Sequence, residues 1–164
     1  HISVNISTKD FYLVDVYETF VDIVERNGIN PEKLKLEITE TTIMDNFERN
    51  IKIIKRLQDY GFKIEIDDFG SGYSSFNTLK DMDVDVLKID MGFLRTSKPE
   101  NLEKSMSILN MIISLSKTLG LSVVTEGVET KEQVVKLTQM GCRIYQGYYF
   151  SKPIPVEEFE KRYM

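Results

Sequence analysis

Apolar and polar residues alternate along this chain in two periods that take turns. A period of two runs through "ISVNIS" (2–7), "KLKLEITE" (33–40), "FKIEIDDFG" (62–70), "VDVLKID" (84–90) and "LSVVTEG" (121–127), and predicts strands there. A last short strand is expected within "RIYQGYYFSKP" (143–153). Between them the apolar positions recur at helical spacing. Residues 9–29 carry a stripe at Leu13, Val16, Phe20, Ile23 and Val24 that stops at Gly28. Further helices are expected over 46–61, briefly around Phe76 to Met82, over 101–120 with a stripe at Ile108, Ile112, Leu115 and Leu119, over 130–141 with Thr130 as cap, and over 155–164.

Strand and helix therefore alternate in about six units of about 25 to 30 residues, the pattern of a parallel sheet crossed by helices. A complete (β/α)8 barrel takes eight strands and about 250 residues. At 164 residues, the chain reads as one α/β domain spanning 1–164, a modified barrel with about six units and the first two strands missing. An open sheet of this kind exposes edges and inner surface, so pairing with a second copy is expected.

The polar residues toward the ends of the strands share a chemistry. They are Asn5, Glu37, the pair Asp67 and Asp68, Lys88, Glu126 and Gln146. In a barrel that end carries the active site. Each alone has an ordinary explanation: an aspartate capping the "FGSG" turn, Lys88 pairing with Asp90 or Glu126, Glu126 capping its loop. Six in register point to a site. Oxygen donors without histidine or cysteine suit magnesium, manganese or calcium rather than zinc. Two such ions, roughly 3.5 to 4 Å apart, could clamp a phosphodiester. Lys88 would then add positive charge at the phosphorus, and Glu126 could orient or deprotonate water.

Composition narrows the partners. A formal net charge of -5 argues against a nucleic-acid polymer as ligand, so a phosphate ester here needs a cation to meet it. The single cysteine, Cys142, fits a reducing compartment, hence a cytoplasmic setting. The most apolar run, 107–115, is too short to span a bilayer. The glycines of "FGSGYSS" lack the lysine and spacing of a P-loop and read as turn geometry.

Taken together, "SVNIS", "KLEITE", "IDDFGSGYSSF", "LKID", "TEGVET" and "GCRIYQGYYFSKP" resemble, in order and spacing, the EAL domain, the bacterial cyclic di-GMP phosphodiesterase family. The resemblance covers essentially the whole chain. It implies a modified barrel with one antiparallel strand, and magnesium- or manganese-dependent hydrolysis of cyclic di-GMP to linear pGpG. It further implies that Asn5, Glu37 and Asp67 hold one metal, and that Asp67 bridges to a second involving Asp68. Glu126 is then a ligand of the second metal or the base for the water. Lys88 contacts water or phosphate, Gln146 belongs to the substrate pocket, and Glu40 anchors a catalytic and dimer-forming loop. Fusion to GGDEF or sensory domains, and membrane attachment of a parent protein, are common in the family.

The departures are specific. The Glu-Ala-Leu motif that names the family is absent, and its glutamate is a metal ligand. Arg143 stands where aspartate is frequent, and Thr125 where alanine is common. Two functions follow as alternatives: a phosphodiesterase, or a module that binds cyclic di-GMP without cleaving it. A barrel lyase using Lys88 as a Schiff base is a third, which the surrounding carboxylates disfavour.

Overall fold

In a computed structural model, which describes residues 1–70, 83–90, 92 and 99–164, six strands form one sheet in sequence order. They are β1 (Ile2–Ile6), β2 (Leu34–Thr39), β3 (Lys63–Asp67), β4 (Val86–Asp90), β5 (Ser122–Glu126) and β6 (Ile144–Tyr145). Every neighbouring pair is parallel. The connecting helices are α1 (Asp10–Leu13), α2 (Val16–Asn27), α3 (Glu40–Asp45), α4 (Phe47–Tyr60), α5 (Pro99–Thr118), α6 (Lys131–Gln139) and α7 (Val156–Tyr163). The helix expected around Phe76 to Met82 lies outside the described residues.

Successive side chains of a strand point to opposite faces, and here one face is mainly apolar and the other mainly polar, with Val86 and Val124 the buried apolar residues on the polar side. One carries Ile6, Leu36, Ile38, Ile64, Ile66, Leu87 and Ile89, all buried in a single core beneath the helices. Phe11, Val24, Leu57 and Leu109 close that core from the helical side. The other face carries Asn5, Glu37, Glu65, Asp67, Lys88, Asp90 and Glu126. The apolar face holds the fold, and the polar face is left for chemistry.

Three local readings of the sequence are corrected. The helix expected over 9–29 is two helices, because Asp15 leaves helical geometry and its carboxylate accepts from the Glu18 backbone N–H at 3.1 Å. That break turns Leu13 and Ile23 outward, and Val16 and Val24 remain as the buried positions of α2. Strand β2 stops one residue early, where Thr39 caps α3 by accepting from the Thr42 N–H. On α5 the buried line is Leu109, Ile112, Ile113 and Ser116; Ile108 and Leu119 are exposed. Thr125 is fully buried with its hydroxyl 2.9 Å from Cys142 Sγ, so the extra oxygen finds a partner inside the core.

Candidate active site

The site grows out of the polar face. Asn5, Glu37 and Glu65 stand side by side in register on β1, β2 and β3, and Asp90 stands beside Glu126 on β4 and β5. Lys88, between these groups, is 4% exposed. Its ammonium donates to Glu37 Oε2 at 2.8 Å and Glu126 Oε1 at 2.9 Å, with Asp67 Oδ1 at 3.2 Å. Carboxylates from three strands thus converge on one nitrogen of a fourth.

The backbone fixes this convergence. Asp68 adopts a left-handed conformation (φ 54°), a geometry that aspartate tolerates better than most residues. Its N–H donates to Asp67 Oδ1 at 3.0 Å, and the next residue, Phe69, donates to the Lys88 carbonyl at 3.1 Å. Phe69 is buried in the core, so the aspartate turn is pinned to β4. Beyond β5, the Val128 N–H donates to the Gln146 carbonyl at 3.0 Å, and the Gln146 N–H donates to the Thr125 carbonyl at 2.9 Å. Those bonds hold Gln146 beside Glu126.

Above the cluster opens a cavity of about 860 Å³, lined by Asp68, Asp90, Glu126, Gln146, Tyr148 and Phe159 among others. That volume suits a small organic ligand. Glu126 belongs both to the cavity wall and to the Lys88 cluster. Asn5 is in register with Glu37, on the same face but outside the cavity lining. Glu40 is buried at the start of α3 and is likewise not part of the lining.

Electrostatics follow from the count of three carboxylates around one ammonium. Burial works against the Lys88 charge, but hydrogen bonds to Glu37 and Glu126 outweigh it and hold its pKa well above the ordinary lysine range. Glu126 is pushed up, first by burial and then by repulsion from Asp67 and Glu37; Lys88 pulls the other way. Asp68 is pushed up by burial, then by Asp67 and Asp90. The carboxylates exceed the cation available to them. Among the described residues no group of three acidic, histidine or cysteine side chains forms a ready coordination shell, since the ammonium sits at the centre. The donor chemistry nevertheless fits a hard divalent cation: all-oxygen, anionic and in excess of its counter-charge.

The sequence reading missed two members of this face. Asp90 lines the cavity and accepts from the Gly92 N–H at 2.7 Å, instead of pairing with Lys88. Glu65 is 2% exposed inside the sheet. The period-two spacing with Asp67 and Lys88 was the signal that could have found both.

Comparisons with known proteins find relatives along nearly the whole chain. The family model described as EAL domain matches residues 1–153. The signaling protein YkoW of Bacillus subtilis is 38% identical over 160 residues, which is 98% of this chain and 20% of that protein. The bifunctional diguanylate cyclase/cyclic di-GMP phosphodiesterase MucR of Pseudomonas aeruginosa is 36% identical over 96% of this chain and 23% of its own length. The chain therefore spans about a fifth of the curated relatives it matches. A solved structure of the MucR phosphodiesterase in complex with c-di-GMP superposes with TM-score 0.89 at 36% identity, covering 97% of this chain and 64% of that one. Klebsiella pneumoniae BlrP1, solved with cyclic di-GMP and either calcium or manganese, gives TM-score 0.83 at 31% identity over 92% of this chain and 38% of that one.

Proposed function

The chain belongs to the EAL domain family, and on that footing we propose that it hydrolyses cyclic di-GMP to linear pGpG with two divalent cations, magnesium or manganese. The observation that carries the reading is the convergence of Glu37, Asp67 and Glu126 on one point beside a nucleotide-sized cavity.

Asn5, Glu37, Asp67 and Asp68 would hold the cations. Bound there, the cations would polarise a phosphoryl oxygen and lower the pKa of water. In the metal-free cluster the bonds to Glu37 and Glu126 hold Lys88 protonated, and beside the phosphoryl oxygens it would serve as a positive charge. Glu126, whose pKa is raised, would accept the water proton as the water oxygen bonds to phosphorus; the bond to the ribose oxygen breaks, and that oxygen takes a proton from solvent to become a hydroxyl. Gln146 and the rings of Tyr148, Phe159 and Tyr163 line the cavity where the guanine bases would lie. Glu40, buried at the start of α3, would anchor a catalytic and dimer-forming loop.

One observation favours the binding-only alternative: the Lys88 ammonium already fills the centre of the carboxylates, and a cation must move it aside. Replacing Asp67 by asparagine separates the two readings from a metal-free one. Cleavage should disappear while nucleotide binding persists; a variant that still cleaves contradicts the metal assignment.

The reading extends to partners. Among the described residues β1 and β6 are the sheet edges, and Ile2 and Ile144 on them are exposed, which supports pairing with a second copy. Sedimentation as a monomer would contradict this. No described helix is long and apolar enough to cross a membrane. The relatives are bacterial signalling proteins, which supports a cytoplasmic setting and fusion to GGDEF or sensory domains.

A further inference from the structure

Glu65 is a carboxylate buried more deeply than Glu37 or Lys88, and the proposed chemistry does not use it. It sits beside Glu37 in the sheet register, on the same face. Two glutamates in lateral register on neighbouring strands would ordinarily repel. Here each turns to its own ammonium. Glu37 reaches Lys88 at 2.8 Å, and Glu65 accepts from Lys35 Nζ at 2.9 Å and from Ser3 Oγ at 2.8 Å. Lys35 lies two residues before Glu37 on β2, and Ser3 is its register partner on β1. The polar face thus has two storeys: an upper one with Glu37 and Glu65 level in the register, and a lower one of Ser3 and Lys35, which Glu65 binds.

Lys35 is the nearest second ammonium to Glu37 along its own strand, and Glu65 is what binds it. We propose that Glu65 is a positioning residue that holds the Lys35 charge below the site, so that Glu37 stays available to a divalent cation. The inference rests on the metal reading above. Without the Glu65 charge, Lys35 becomes an uncompensated cation one storey beneath Glu37. It would then repel a divalent ion and compete for Glu37. Like-charge repulsion from a divalent ion in partly buried surroundings is large enough to weaken binding about tenfold.

The test is Mn2+ affinity of the 164-residue chain, read from the electron paramagnetic resonance of free Mn2+. Thermal unfolding is followed in parallel. Glu65→Gln should weaken Mn2+ binding about tenfold. Lys35→Met should bind Mn2+ at least as tightly as the wild type, and the double variant should return to within about twofold of it. A purely structural role predicts the opposite for Lys35, namely that both single variants lose affinity together. That result overturns the proposal, as does unchanged affinity in Glu65→Gln. Should Glu65→Gln fail to fold, the direction of Lys35→Met and the double variant decides by the same criterion. A wild-type chain that binds no Mn2+ overturns the metal reading, and this inference with it.

Discussion

Lys88 on β4 donates a 2.9 Å hydrogen bond to Glu126 on β5, joining the buried carboxylate cluster to the open cavity. Through that bond the residue that carries permanent charge touches the residue that can trade a proton. Both pKa values move upward: Lys88 is kept protonated, and Glu126 is brought nearer to neutrality. Glu126→Gln preserves shape and a hydrogen-bonding group but removes the base. Turnover of cyclic di-GMP should fall by about 100-fold or more, while binding measured by calorimetry stays near the wild-type value.

Removing Lys88 should cost stability before it costs chemistry. Lys88→Met leaves Glu37, Asp67 and Glu126 facing one another without their cation, and loss of one partner of a buried pair typically costs about 3 to 5 kcal/mol. Urea denaturation should show that loss in metal-free buffer. Added Mn2+ should recover more stability in the variant than in the wild type; equal recovery would argue that the cation binds elsewhere.

The same lysine sets an alkaline limit. Its folded pKa stands above the unfolded value of about 10.4, so its stabilisation is complete below that pH and is lost as pH rises through the folded value. Base titration followed by circular dichroism should show the wild type losing stability only in that high window. Lys88→Met should lack that component.

Gly147 tests the frame that carries Gln146. A Cβ at this position would lie 2.2 Å from the Val128 carbonyl oxygen and 2.3 Å from its nitrogen, both backbone atoms. The same carbonyl accepts from the Tyr149 N–H. Gly147→Ala must therefore push the β6 turn away from Val128 and carry Gln146 with it. Stability should drop by about 1 to 3 kcal/mol, and KM for cyclic di-GMP should rise more than kcat falls.

How much of this was legible in the sequence depends on what each residue competes with. Asn5, Glu37, Asp67, Lys88 and Glu126 stood out together, because each alone has an ordinary explanation but successive strands carry them toward the same end. Glu65 did not, because a glutamate alternating with Ile64 and Ile66 also reads as the solvent face of a half-exposed strand. The period-two spacing places Glu65 on the face of Asp67, and the lateral arrangement of β1, β2 and β3 shows that this face points inward. Helix α3 was hidden by its β-branched start, Thr39 to Ile43, which prolongs the strand pattern until the Thr39 cap interrupts it. The break before α2 had a readable signal in Asp15 followed by Glu18, but a continuous apolar period masked it.

The most direct measurement is to incubate the chain with cyclic di-GMP and Mn2+ and to separate the products by chromatography. Linear pGpG should accumulate, should stop on chelation, and should be absent with Asp67→Asn. Intact cyclic di-GMP bound to a chain that never cleaves it would contradict the phosphodiesterase reading and leave a binding module.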